Sequence, residues 1–314
     1  MKDVNNIKTN VFFVTAVAVL CTLLWGTAFP AIKTGYVLFS IDSSDIPSKL
    51  IFAGARFFLA GIIVLIIGII TEKDKRSLLP GKKDIAPIAL LGFFQTFMQY
   101  LLLYIGITYI TGTKSSVLTS VSTFGSIIMS AIFFRSDKLG LRKIAGCAVG
   151  ITGIIVMNFG DGLSGFTLIG DGLVILSNLS GAAGNIVSKK VTENRSAAKA
   201  AGWQLTFGGG ALIALGSILG GRLSFQSTAS VLILLYLAAM AGVAFMLWTM
   251  LLRNNPVSRV SMFNLLIPVF GTMWSGLFLG ENIFTLTNAA SLLLVCSGIF
   301  LVNLTTDKKS AKKK

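Results

Sequence analysis

The chain has no histidine, and its three cysteines, Cys21, Cys147 and Cys296, stand far apart with no C-x-x-C. That spacing excludes the usual zinc site or redox pair, and all three read as small apolar residues inside apolar runs. Charge is scarce. Asp, Glu, Lys and Arg make up 12% of the 314 residues, against about 25% in a soluble domain. Acids are scarcer still, at 12 against 27 basic residues. No Asp, Glu or His lies deep in an apolar run: Asp171 is shallow and Glu281 stands at a run's end. An intramembrane transferase, which needs clustered acidic metal ligands or a nucleophile–base pair, is therefore disfavoured. No cofactor and no metal are expected. A proton relay, normally built from buried Asp, Glu or His, has no visible members. A cleaved signal peptide is not expected either: the N-terminus lacks a small-x-small cleavage site after a short apolar core, and the first apolar run is too long.

What remains is apolar. Hydrophobic residues reach 54% and mean hydropathy is +0.82. Ten runs approach the roughly 20 residues that cross a bilayer: 12–35, 48–70, 85–108, 113–134, 140–159, 167–188, 199–219, 229–252, 257–279 and 284–303. The net charge of +15 would mark a nucleic-acid binder in a soluble protein, but here the basic residues sit in short loops between apolar runs. They alternate in side. Of 27 Lys and Arg, 22 fall in the N-terminus, the even-numbered loops and the tail, against Lys49, Lys114 and Arg222 opposite. This places both termini in the cytoplasm of a multi-pass cell-membrane protein. The basic tail, 304–314, is attracted to anionic lipid.

The chain repeats itself. Gly153-Ile-Ile-Val-Met-Asn158 closes the fifth run and Gly298-Ile-Phe-Leu-Val-Asn303 the tenth, 145 residues later. The same offset carries Ser116, Thr119, Thr123, Ser126 and Ser130 onto Ser261, Asn264, Pro268, Gly271 and Ser275. Each set lies on one helix face. Residues 12–159 and 167–303 thus read as two five-helix copies. Five is odd, so the copies enter the membrane from opposite sides. Inverted repeats of this kind recur in transporters, where the two arrangements give two access states. The expected fold is all-α and integral to the membrane, with ten transmembrane helices in two inverted repeats.

At family level the chain resembles the EamA-type drug/metabolite transporters. The likeness rests on Trp25-Gly-Thr-Ala-Phe-Pro-Ala-Ile-Lys33 in the first run, Ala55-Arg56-Phe57 in the second and Phe278-Leu-Gly-Glu281 closing the ninth. It implies a substrate path between the halves, walled by runs 1–4 and 6–9. Two departures stand out: Thr123 faces Pro268 where the family carries a proline, and Arg135-Ser136-Asp137 stands opposite Gly280-Glu281-Asn282.

Polar residues deep in apolar runs are the informative ones. The expected substrate-binding set is Trp25, Thr27, Arg56, Gln95, Gln99, Tyr100, Thr119, Thr123, Asn178, Asn185, Gln204, Trp248 and Asn264. Amides with aromatic walls suit a zwitterionic or polar neutral solute. Each amide has a competing reading as an interhelical hydrogen bond, the Ser/Thr stripe as close packing, and Trp203 and Trp248 as interface residues. Arg56 is either an anchor for a substrate carboxylate or phosphate, or a clamp on helix-end carbonyls or on Glu281. Lys33 reads as snorkelling to the interface. Gly146, Gly150 and Gly153 read as packing within the molecule. Pro30 and Pro268 are the expected gating prolines, with a tolerated kink as the alternative at Pro30.

The expected function is a secondary transporter, exporter or exchanger of small polar metabolites such as amino acids. It would work without visible proton coupling, by facilitated diffusion or exchange. The alternatives are a carrier of a phosphate-bearing metabolite and, in another class, a lipid scramblase or structural membrane protein. The expected partners are the lipid bilayer and a small-molecule metabolite, with no nucleic acid. A monomer suffices for the fold, and the oligomeric state is open.

Overall fold

The computed structural model describes residues 9–72, 74–110, 112–134, 137–157, 166–279 and 286–310. Arg135, Ser136, Asn158 and Glu281 lie outside them. Among the described residues there are ten long helices and no strand. They are α1 (Val11–Leu38), α2 (Ile46–Thr71), α3 (Lys82–Gly106), α4 (Gly112–Phe133), α5 (Leu141–Met157), α6 (Leu173–Val191), α7 (Ala197–Ile218), α8 (Thr228–Asn254), α9 (in pieces from Val257 to Leu279) and α10 (Leu286–Ser310). Of these, α1, α2, α3 and α8 are long and apolar enough to cross a membrane by length and composition alone. Shorter apolar stretches lie in α4, α9 and α10. Large aliphatic and aromatic side chains such as Ile70, Leu232, Leu293 and Phe300 face outward, as lipid contact requires. Helix starts carry polar caps: Asp45 accepts from the Ser48 N–H and Ser196 from the Lys199 N–H, which satisfies donors the helix leaves free.

Three helices depart from plain α geometry. Helix α3 holds a π turn over Phe93–Met98, and α6 is entered through another, Leu168–Gly172. Helix α9 is the sharper difference from the single run expected. It proceeds as Val257–Ser261, a 3-10 segment Met262–Leu265, then Leu266–Leu279. The cause is Pro268. It has no N–H to offer the carbonyl of Asn264, four residues back, and its ring crowds that carbonyl, so the preceding turn tightens. Pro30 does not break α1, which continues through it. Gly26, whose carbonyl Pro30 cannot serve, stands where α1 meets Phe270 and Gly271 of α9.

Packing follows small residues. The two most extensive contacts are α2 on α7 and α5 on α10. At Gly54 of α2 a methyl group would come within 2.7 Å of the Gly209 carbonyl. On the other pair, Gly146 and Gly298 meet so closely that a methyl on Gly146 would lie 2.7 Å from the Gly298 carbonyl. The glycine face of α5 is thus spent inside the molecule, on α10. Helix α1 packs on α8 and α9, and α6 packs on α3 and α4. Helix α8 also contacts α2, and α3 also contacts α7.

Candidate functional site

Two polar constellations occupy the middle of the bundle. The first is centred on Asn185 of α6. Its Oδ1 accepts from Gln95 Nε2 of α3 at 3.1 Å and from Trp248 Nε1 of α8 at 3.3 Å. Its Nδ2 donates to Ser126 Oγ of α4 at 3.1 Å and lies 3.5 Å from Ser261 Oγ of α9. One amide therefore ties together five helices. Thr123 adds a bond from α4 to the Ser261 carbonyl at 3.3 Å. Trp248 is only 2% exposed, so it is a core residue here and not an interface belt. The π turn of α3 explains the register. It turns two consecutive residues inward, Gln95 toward α6 and Thr96 toward α7, where the Thr96 hydroxyl donates to Gln204 Oε1 at 2.7 Å. The carbonyls at Phe94 and Gln99 accept the hydroxyls of Ser180 and Ser177.

The second constellation is aromatic and surrounds Arg56 of α2, which is 3% exposed. The guanidinium carbon lies 4.2 Å from the ring centre of Phe57 and 5.7 Å from that of Tyr100. Tyr36 of α1 lies within electrostatic reach of Arg56 and beside Tyr104. Phe57 and Tyr100 rings sit 4.4 Å apart. Phe245 of α8 touches both Phe57 and Trp25, at 6.0 and 5.4 Å between ring centres. Trp25 then meets Trp248 at 5.1 Å. A continuous aromatic seam thus runs from the Asn185 hub to the arginine.

Asn185 and Arg56 differ in how far their own hydrogen-bonding capacity is used, although Gln95 Oε1 beside Asn185 is also buried without a partner. Arg56 Nε is buried with no partner, and so is Trp25 Nε1. None of the ion pairs formed among the described residues includes Arg56. A buried cation inside a membrane protein is costly and marks function by default. Aromatic faces offset part of that cost by cation–π attraction but give the Nε–H no acceptor. What such a site lacks is an anionic acceptor.

The remaining expected residues are placed as follows. Gln99 presses against Gly181. Asn178 donates back to the Val174 carbonyl of its own helix, and Gln204 is taken by Thr96. Thr27 bonds the Leu24 carbonyl and accepts from Tyr236 on the outer surface of α8, away from the arginine. Thr119 is half-buried on α4, and Asn264 half-buried in the 3-10 turn of α9. Asp171 folds back to accept from the backbone and hydroxyl of Thr167, a helix-start role. Lys33 is exposed. Among the described residues no group of His, Cys, Asp and Glu is arranged to hold a metal. Residues the sequence reading missed are Tyr36, Phe245 and Thr96. Phe245 and Trp248 are three apart on one face of α8, which is the signal that was there to be used.

An all-helical multi-pass bundle with a buried cation in an aromatic seam has the make-up of a membrane carrier for small molecules. The EamA-like transporter family model matches residues 13–159 and again 168–304. The chain belongs to that family, and is a secondary transporter of small molecules across a membrane rather than an enzyme. It is 27% identical over 298 residues to an uncharacterised transporter of Archaeoglobus fulgidus, covering 91% of this chain and 97% of that one. It is 26% identical over 298 residues to a probable amino-acid metabolite efflux pump of Escherichia coli, covering 90% and 92%. A crystal structure of a chain 17% identical in sequence superposes with a TM-score of 0.75 over 93% of this chain and 99% of that one, a likeness of fold.

Proposed function

We propose that this transporter carries small organic metabolites bearing a carboxylate, amino acids among them, with Arg56 as the anchor of the carboxylate. The observation that carries the reading is the buried guanidinium with an unpartnered Nε, walled by Phe57 and Tyr100. A planar carboxylate accepts from arginine in a bidentate fork. The aromatic faces of Trp25, Phe245 and Tyr100 then suit the apolar or cationic remainder of the solute. The Escherichia coli relative named as a probable amino-acid metabolite efflux pump agrees with this class.

The movement is alternating access between two inverted five-helix halves, 12–159 and 167–303. The 145-residue offset supports it, and so do the two separate family matches. The packing agrees: exchanging each helix with the one five later turns α1 on α8 into α6 on α3, and α9 on α1 into α4 on α6. Helices α2 with α7 and α5 with α10 are their own images. Pro30 and Pro268 are hinge positions on this reading, in a protein with both termini in the cytoplasm.

A second reading, a phosphate-bearing solute, has one feature in its favour. Lys49 stands seven residues before Arg56 on α2, with its ammonium 5.5 Å from the centre of the Tyr36 ring. That ammonium already donates to the Ser43 carbonyl, so of these two cations only Arg56 has a buried unpartnered donor, which favours the carboxylate. The test is solute flux in proteoliposomes across a panel of amino acids, their decarboxylated amines and phosphomonoesters. Saturable flux of the carboxylates is expected, with about a 100-fold loss in Arg56→Gln. Flux of the amines at the same rate would sink the reading.

A further inference from the structure

The ion pairs formed among the described residues lie at one end of the bundle, where the basic loops fall. At the rim, Asp84 of α3 receives Arg195 and Lys199, with side chains 10 to 18% exposed. Asp137, in the corner between α4 and α5, is different: it is 3% exposed. It pairs with Lys143, six residues on and part of the same corner. It also reaches the other half of the chain. The Ser258 N–H donates to Asp137 Oδ2 at 3.0 Å and the Ser258 hydroxyl donates to Oδ1. Ser258 lies in the first turn of α9, so the carboxylate caps a helix start, where negative charge is favoured. One turn later on α9 stands Ser261, which receives Thr123 and Asn185. Cys147 of α5 and Met262 of α9 close the same seam, sulfur to sulfur at 3.7 Å.

We propose that Asp137 is a positioning residue of the transport cycle. Its carboxylate holds the start of α9 against the α4–α5 corner and closes the path at the basic-loop end, and its bonds to Ser258 break each time that end opens. Lys143 travels with Asp137, so that pair survives opening and only the two bonds to Ser258 are exchanged for water. Lys189 of α6 does not compete, because its ammonium is held by the carbonyls of Leu252 and Asn255 at the end of α8. Asp137 therefore sets the rate of the conformational step and leaves solute affinity alone. The inference rests on the alternating-access reading and is independent of the carboxylate anchor.

Cys147, 1% exposed, serves as the reporter. In a Cys21→Ala, Cys296→Ala background, the purified full chain is treated with a membrane-impermeant maleimide. Alkylation of Cys147 is expected to be slow in the parent. It should be faster by on the order of tenfold in Asp137→Asn and by a few-fold in Ser258→Ala, following the strength of hydrogen bonds to a charged group. In flux assays both variants should change the maximal rate with KM unmoved. Labelling within twofold of the parent in a folded variant, or a change confined to KM, overturns the proposal. If Asp137→Asn does not fold, Ser258→Ala decides alone. The thiol readout needs no solute, so failure of the Arg56 reading leaves it standing, and the reverse holds too.

Discussion

The Asn185 hub and the Arg56 seam meet at the contact between Trp25 and Trp248, yet they use their polar atoms in opposite ways. Asn185 spends both ends of its amide on four neighbours from four other helices. Arg56 is as deeply buried but keeps an N–H without a protein partner. An amide with both ends paired holds its neighbours in the fold, and its loss leaves several groups unpaired. A buried charge with unspent donors does nothing for the fold, since desolvation opposes it. On the proposed reading the difference separates glue from site, although residue types alone would rank both as polar groups in a membrane.

The largest effect should come from breaking the seam. Arg56→Met is expected to reduce carboxylate flux about 100-fold while the unfolding temperature in detergent stays level or rises, because an unpaired buried charge is removed. Next comes the hub. Asn185→Ala strands Gln95 Nε2 and Trp248 Nε1, so thermal unfolding should show a loss of about 2 kcal/mol, with residual flux scaling with folded protein. A smaller effect concerns Asp137. Burial raises its carboxyl pKa, but bonds from Lys143 and Ser258 outweigh this and hold it below the usual carboxylate range. A depressed folded-state value stabilises above the unfolded pKa, and that stabilisation is lost as pH falls through the folded one. The gap in unfolding temperature between the native chain and Asp137→Asn should thus hold from neutral pH down to about 5 and shrink below the ordinary carboxylate pKa of about 4. Least of all, Gln204→Met removes one bond to Thr96 and one unpartnered Nε2, and should cost under about 1 kcal/mol.

Much of this was legible in the sequence for physical reasons. The ten helices follow from hydropathy, because a lipid-spanning backbone must satisfy its own hydrogen bonds. Close packing of α5 inside the molecule follows from Gly146, Gly150 and Gly153, but that the partner is α10 does not. The π turns in α3 and α6 were not legible, since neighbouring helices stabilise them and no residue signature marks them; in α9, Pro268 did carry the signal. Within the site, Trp25, Arg56 and Tyr100 announce themselves by type. Phe245 does not, as one of 23 phenylalanines in a chain where phenylalanine is the ordinary lipid-facing residue. The amides show the limit most plainly. Asn178, Asn185 and Gln204 look alike in sequence, yet one bonds its own helix, one joins five helices and one takes a single threonine.

The most direct test of the distinction between glue and site is thermal unfolding of the native chain, Arg56→Met and Asn185→Ala, each with and without a transported carboxylate. The predicted result is a ligand-induced rise in the native chain and none in Arg56→Met, whose unliganded value is no lower than native. Asn185→Ala should begin lower and still respond to ligand. An unliganded Arg56→Met that melts as early as Asn185→Ala, or that still gains stability from the carboxylate, would contradict the assignment of Arg56 to the substrate.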